Sequence, residues 1–133
     1  MGYTNYWHRT NKEFDGDFVE LVKDVFKRSA ERGIILKDGW GENEPVADSL
    51  EICFNGNAET GLEHETFFLP NTDNEHFKSG FDFCKTAEKP YDWTVKEVLR
   101  LAEKYGYVTD VSDDGEPEVL NDEEYIAKYG KEV

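Results

Sequence analysis

The chain is poor in cysteine, and that shortage excludes two kinds of protein. It has two cysteines, Cys53 and Cys84, in 133 residues. Two cysteines form at most one disulfide, which excludes a disulfide-rich scaffold, and in a reducing cytosol both are expected as free thiols. There is no CxxC pair, and His8, His64 and His76 do not fall at paired ligand spacings, so the familiar zinc sites are excluded. We therefore expect no metal and no cofactor.

Long apolar runs are also missing. No run approaches the roughly 18 residues that a membrane-spanning helix needs, and the N-terminus lacks the basic and apolar parts of a signal peptide. We expect a cytoplasmic protein with no membrane contact. Hydrophobic residues still make up 38% of the chain and aromatic residues 14%, more than a disordered acidic chain carries. Residues 1–133 are therefore expected to form a single folded domain.

Basic residues are absent from two long stretches. Residues 38–77, the first acidic tract, hold ten carboxylates and no lysine or arginine, and residues 105–127, the second acidic tract, hold eight more. Removing those eighteen acids from the thirty in the chain leaves twelve acids against fifteen basic residues, a net charge of +3. The overall charge of −15 is therefore concentrated in the two tracts. Such a field repels nucleic acid and attracts basic proteins.

The acidic tracts exclude one class of partner and favour another. Binding to a phosphate backbone depends on basic groups, so direct nucleic-acid binding is not expected. Carboxylates on alternate strand residues lie about 6.8 Å apart, near the spacing of every second phosphate along one DNA strand. An acidic surface can therefore occupy the basic groove of a nucleic-acid-binding protein. The alternative is that the tracts only keep a small protein in solution. The candidate partner-binding residues are Asp38, Glu42, Glu44, Glu59, Glu63, Asp113, Asp114 and Glu116.

Hydrophobic periodicity predicts two long helices. The first begins at Asp15 or Asp17 and ends before Gly33, with apolar side chains at helical spacing and basic residues in its last turns. The second has Asp92 as its predicted N-cap and ends before Gly106. Both helices have one apolar face, which indicates that they pack on a sheet.

Six segments with apolar or aromatic residues at alternating positions predict β-strands. They are residues 3–8, 34–36, 50–55, 64–69, 81–85 and 107–111. A third, short helix is predicted at residues 121–130. Strands in series with helices at intervals indicate an α+β fold. We therefore predict one α+β domain with a mainly antiparallel sheet and two or three helices packed on one face.

Three segments concentrate aromatic and ionisable residues. They read GYTNYW at residues 2–7, HETF at 64–67 and FCKTAEKPYD at 83–92. Together they resemble a family of small uncharacterised bacteriophage and bacterial proteins with a GYTHYW-like start and an FCKTAxKPYD-like block before the second long helix. The chain has Asn5 where histidine is common and Glu88 where arginine is common. The resemblance implies a phage or bacterial origin and no settled activity, and Asn5 removes an ionisable ring from its position.

The block at residues 83–92 is a second candidate site. A helix N-terminus exposes backbone amides, which together with nearby lysines favour an anion such as a phosphate or a carboxylate. His64 is a candidate base and Cys84 a candidate nucleophile. The candidate anion-binding residues are Lys85, Lys89, His64, Cys84 and Tyr91. The alternative is structural: Pro90 shapes the turn, and the lysines pair with carboxylates of the acidic tracts.

Two functions therefore remain open. The preferred interpretation is a non-enzymatic acidic protein that binds a basic protein partner, and its most specific form is a nucleic-acid mimic that inhibits a host defence system. The alternative is a small enzyme or ligand sensor that uses the block at residues 83–92 to hold an anionic small molecule.

Overall fold

The structure, a computed structural model, describes residues 3–115. Glu116 and the helix predicted at residues 121–130 lie outside the described residues. The strands are β1 (Thr4–Arg9), β2 (Val46–Ala47), β3 (Glu51–Phe54), β4 (Phe67–Pro70), β5 (Gly80–Lys85) and β6 (Val108–Asp113). The helices are α1 (Gly16–Glu31), α2 (Asp92–Lys104) and a single 3₁₀ turn at Ala58–Thr60.

The six strands form two antiparallel sheets of three strands each. In the first sheet β1 lies between β5 and β6, and in the second sheet β3 lies between β2 and β4. The predicted α+β fold with antiparallel strands is confirmed, although its strands divide between two sheets. Residues 34–36, predicted as a strand, do not form one; the N–H of Ile34 instead donates to the carbonyl of Ser29 and closes the C-terminal turn of α1. The next residue, Lys37, forms an isolated antiparallel β-bridge with Asn55.

Helix α1 begins and ends where its sequence signals predict. A carboxylate oxygen of Asp15 accepts a 2.7 Å hydrogen bond from the N–H of Phe18, one of the amides that helix geometry leaves without an internal partner. Gly33 follows the last turn with φ of 80°, a left-handed conformation that glycine adopts without strain. Phe18, Val22 and Val25 are buried along one side of the helix, and each contributes about 1.5–3 kcal/mol.

Aromatic rings join the two sheets in the core. The ring centroid of Trp7 on β1 lies 5.2 Å from that of Phe67 on β4, and Phe67 lies 5.0 Å from Phe54 on β3. Phe26 on α1 meets Phe54 at 5.4 Å, close to edge-on. Helix α2 packs against β1 and β6, and α1 packs against α2. One hydrophobic cluster therefore extends through both sheets and both helices.

Helix α2 starts differently from its prediction. The N-cap position is Tyr91, which makes no capping hydrogen bond with its side chain, and Asp92 is the first helical residue. The prediction that Asp92 caps the helix is wrong because buried neighbours take its carboxylate. One of its oxygens accepts a 2.6 Å hydrogen bond from the hydroxyl of Thr86.

Candidate functional site

The loop after Lys37 holds an exposed tryptophan in a fixed backbone. Trp40 is 82% exposed, the highest value among the exposed large hydrophobic residues of the described chain. A carboxylate oxygen of Asp38 accepts hydrogen bonds from the backbone N–H of Trp40 at 3.0 Å and of Glu42 at 3.3 Å. The N–H of Gly41 donates to the carbonyl of Asp38 at 3.0 Å. The loop is therefore held by its own hydrogen bonds while the indole remains in solvent.

Asp38 acts as the anchor of this loop. Burial disfavours its charged form, but the hydrogen bonds from Glu42 and Trp40 outweigh that effect and lower the pKa of its carboxyl. Asp38 is therefore ionised at neutral pH and accepts bonds within the loop. Asp38 was predicted to bind a partner. In this geometry its carboxylate instead positions the residues that follow it.

A second acidic loop lies against the first. The N–H of Ala58 points to the carbonyl of Gly41 at 3.4 Å, and a Cβ built on Gly41 would lie only 2.8 Å from the Cβ of Ala58. The hydroxyl of Thr66 donates to the carbonyl of Gly39 at 2.9 Å and ties the same loop to the second sheet. Glu59 follows Ala58 directly. These two loops carry four exposed residues, which we name the acidic docking surface: Trp40, Glu42, Glu44 and Glu59.

The remaining predicted acidic residues do not belong to that surface. Glu63 is half-buried, and one of its carboxylate oxygens is enclosed without a hydrogen-bond partner among the described residues. Asp113 forms a 3.2 Å ion pair with Lys96. Asp114 accepts the hydroxyl of Tyr6 at 2.7 Å. These last two carboxylates are committed to the first sheet and to α2.

A buried polar cluster joins the N-terminal motif to the block at residues 83–92. The amide of Asn5 donates to Asp92 at 2.7 Å, and the hydroxyl of Thr86 donates to the same carboxylate oxygen. The ammonium of Lys96 lies 3.3 Å from the other oxygen of Asp92 and donates to the side-chain oxygen of Asn5 at 2.6 Å. Asn5, Thr86 and Asp92 are all buried. The carboxylate is thus fully engaged, and the cluster holds β1 against α2.

Tyr3 covers this cluster. Its ring lies 4.4 Å from the ammonium of Lys96. Burial, and after it the charge of Asp92, raises the pKa of the Tyr3 hydroxyl. Sequence reasoning missed the cluster because it treated Asp92 as a helix cap. The sequence signal for the cluster was that two distant segments, residues 2–7 and 83–92, both carry polar residues next to aromatic residues.

Cys84 is buried in the core and is not a reactive thiol. Its Sγ lies 3.4 Å from the carbonyl oxygen of Glu65, and the hydroxyl of Tyr91 donates to that same oxygen at 2.6 Å. Burial, assisted by the charge of Glu65, raises the pKa of Cys84. Burial also raises the pKa of Tyr91. Since the thiolate is the nucleophilic form, the raised pKa disfavours Cys84 as a nucleophile near neutral pH.

The three other candidates in the anion-binding set lie apart from this pair. Lys85 is exposed, with its ammonium 5.8 Å from the ring of Phe83. His64 is exposed, and its backbone N–H and carbonyl are hydrogen-bonded to the side-chain amide of Asn55. Lys89 donates its backbone N–H to Thr86 at 3.0 Å. The structure therefore brings Cys84 and Tyr91 together in the interior and leaves the basic groups outside.

Trp40 is the residue that sequence reasoning missed. Its signal was a tryptophan between two glycines, Gly39 and Gly41, in the first acidic tract. Alternating or helical patterns could not place it, because it belongs to neither a strand nor a helix. Trp40 is exposed, whereas Trp7 on β1 is buried.

Comparison of the chain with known proteins found no relative. No protein-family model, curated protein or solved structure matches the chain. Within residues 3–115, no helix is long and apolar enough to cross a membrane. In the same residues, no three Asp, Glu, His or Cys side chains gather closely enough to hold a metal ion.

Proposed function

We propose that the protein binds a basic protein partner through the acidic docking surface. The observation that carries this proposal is Trp40, an indole 82% exposed on a loop fixed by Asp38, within a stretch of chain that holds carboxylates and no lysine or arginine. When a partner covers a large aromatic side chain that a fixed loop holds in water, the free energy of the complex falls. Tryptophan is also among the residue types most enriched at the energetic centres of protein interfaces.

The indole and the carboxylates of this surface both favour a cationic side chain of the partner. A guanidinium or ammonium group over an indole face is attracted by the ring, by about 0.5–2 kcal/mol depending on desolvation. Glu42, Glu44 and Glu59 supply exposed carboxylates on the same two loops, and arginine pairs with carboxylates in two-pronged geometry. The excess negative charge of the first acidic tract would speed association with such a partner.

The most specific form of the proposal is that the partner is a nucleic-acid-binding host defence protein. One observation supports it, the absence of basic residues from residues 38–77. It also rests on the expected resemblance of the sequence to small bacteriophage proteins. A carboxylate surface in the basic groove of such a protein would exclude its nucleic acid. The small enzyme or sensor has less support, because Cys84 is buried and protonated while Lys85, Lys89 and His64 do not join it.

The test compares two charge-matched variants in capture from bacterial lysate at low and high salt. Glu42→Gln, Glu44→Gln and Glu59→Gln together should weaken binding to a captured and purified partner several-fold, mainly through slower association, and should flatten its salt dependence. The control replaces three exposed acids elsewhere, Glu13, Glu31 and Glu103, by glutamine, which gives the same net charge.

Each outcome has a defined meaning. Equal loss in both variants would show that net charge alone attracts the partner and would reject a specific surface. Trp40→Ala should weaken binding by faster dissociation, since it removes a contact rather than a charge. Competition by duplex DNA for the captured protein tests the mimic, and binding undisturbed by DNA would reject it.

A further inference from the structure

Strand β5 lies at one edge of the first sheet, and among the described residues it pairs with β1 alone. Directly after β5, the N–H of Thr86 donates to the carbonyl of Tyr3 on the β1 side at 2.9 Å. Backbone polar groups alternate in direction along an antiparallel strand, so this bond fixes the direction of those in β5. The residues whose N–H and C=O groups point away from β1 are Phe81, Phe83 and Lys85. An edge of this kind can pair with a strand of another molecule.

The opposite edge of the same sheet is protected by its shape. The register of β6 against β1 shifts between Tyr6 and His8, and Asp110 on β6 has a φ of 52°. Such irregularities bend an edge strand and disrupt its pairing. Strand β5 pairs with β1 over all six of its residues without a shift, so shape does not protect its edge.

Two carboxylates occupy part of the β5 edge. An oxygen of Asp82 accepts a 2.8 Å hydrogen bond from the N–H of Phe83. An oxygen of Glu65 accepts the N–H of Lys85 at 3.3 Å, and the N–H of Glu65 donates to the carbonyl of Lys85 at 3.1 Å. The groups that a further strand would need at Lys85, and the amide that it would need at Phe83, are therefore already bonded within the molecule. We name Asp82 and Glu65 the edge-blocking residues.

Asp82 is an unusual residue for its position in β5. It stands between Phe81 and Phe83, two exposed aromatic residues, and aspartate is depleted in β-strands. Burial raises the pKa of its carboxyl, and the hydrogen bond from Phe83 opposes that rise by favouring the charged form. A charged residue beside exposed apolar strand residues is a common protection against pairing at a sheet edge.

Pairing of β5 with the same strand of a second copy would place Asp82 opposite itself. Hydrogen bonds between the two strands would have to use the residues that point outward. Lys85 is already bonded on this edge, and Gly80 begins β5 with a φ of 100°, which turns the chain away from an extended path. The antiparallel register that remains pairs Phe81 with Phe83 of the second copy, and thus Asp82 with Asp82. Opposed Cβ atoms lie about 4.5–5.5 Å apart, and like charges there destabilise the pair.

We propose that Asp82 and Glu65 block the edge of β5 from pairing with a second copy of the chain. Asp82 acts in two ways, because it holds the amide of Phe83 and repels the same residue of the second copy. Glu65 shortens the free edge by holding Lys85. Two side chains therefore control whether the protein self-associates, and removing them opens β5 for an antiparallel dimer. This inference is independent of the acidic docking surface.

The first experiment measures self-association of the full chain by sedimentation velocity over one range of concentrations. Asp82→Ala with Glu65→Ala should raise the dimer fraction several-fold over that of the unmodified protein. The control, Asp73→Ala with Glu75→Ala, removes two exposed acids outside the strands, gives the same net charge and should sediment like the unmodified protein. Asp82→Asn, which loses the charge but keeps an acceptor for Phe83, should give an intermediate dimer fraction. Circular dichroism checks folding, and Asp82→Asn carries the test if the double alanine variant does not fold.

The second experiment locates the contact between the two copies. In a Cys53→Ser background, Asp82→Cys should form a disulfide-linked dimer on mild oxidation, because the expected register sets the two residues at position 82 opposite each other. Asp73→Cys in the same background should form several-fold less of such a dimer.

Three results would overturn the proposal. Equal association of the edge-blocking variant and its control would show that net charge alone keeps the copies apart. Folded variants at Asp82 and Glu65 that remain monomeric would show that the two carboxylates block nothing. A dimer that does not cross-link at position 82 would show that the contact lies outside β5.

Discussion

Asn5 and Asp92 lie 87 positions apart in the chain, yet their side chains form a buried hydrogen bond of 2.7 Å. The bond connects the two most distinctive segments of the sequence, the GYTNYW start and the FCKTAEKPYD block. Lys96 neutralises the carboxylate from the next turn of α2. The two segments therefore meet to build the fold, and the exposed acidic docking surface lies elsewhere in the chain.

Removal of the Asp92 carboxylate should be severe. Asp92→Ala leaves the amide of Asn5 and the hydroxyl of Thr86 without their acceptor, and takes one partner from Lys96. Breaking a buried ion pair by deleting one partner typically costs about 3–5 kcal/mol. Urea unfolding followed by circular dichroism measures the loss. Asp73→Ala, at an exposed carboxylate, should change stability by less than about 0.5 kcal/mol. Equal effects of the two substitutions would contradict the role given to the cluster.

The two cysteines should differ in reactivity. Burial raises the pKa of Cys53 to about 11, and it raises that of the fully enclosed Cys84 further. In native protein near neutral pH, iodoacetamide should label Cys53 slowly and Cys84 only when the chain unfolds. Mass spectrometry of timed samples gives both rates, and labelling in urea is the control. Fast native labelling of Cys84 would restore it as a candidate nucleophile.

Stability should fall at alkaline pH. An unfolded cysteine has a pKa of 9.0 and an unfolded tyrosine a pKa of 10.0, whereas burial raises both values for Cys84 and Tyr91 in the folded protein. The unfolded chain therefore releases these protons first as the pH rises. Their contribution is complete below about pH 9 and is lost progressively above it. Melting temperatures across this range measure the decline. Cys84→Ser, which cannot ionise there, should show a shallower decline, and an unchanged slope would refute the assignment.

Gly41 should be more sensitive to substitution than Gly61. Both have positive φ, 74° and 71°, so alanine strains the backbone in a similar way at each. A Cβ at Gly41 also meets the Cβ of Ala58 at 2.8 Å, whereas nothing lies within 4 Å at Gly61. Gly41→Ala should therefore cost about 1–3 kcal/mol more than Gly61→Ala. Denaturant unfolding compares the two, and Ala58→Gly should recover part of the loss. Identical costs would mean that the two acidic loops do not touch.

Much of the local structure is predictable from the sequence. Helix α1 follows from its apolar spacing, with Asp15 at its start and Gly33 at its end, because capping and periodicity act over a few residues. The strands at residues 81–85 and 107–111 agree with β5 and β6 to within a few residues. The acidic docking surface is predictable only in part, since composition identified Glu42, Glu44 and Glu59 and missed Trp40.

The sequence by itself determined the α+β class, the boundaries of α1 and the segregation of charge, since each depends on composition or on neighbours within a few residues. The tertiary structure alone decided which side chains meet. It divided the strands between two sheets, enclosed Asp92 with Asn5, buried Cys84 and left Trp40 in solvent. Those outcomes depend on contacts between distant segments, where burial and competition for hydrogen-bond partners outweigh local preference.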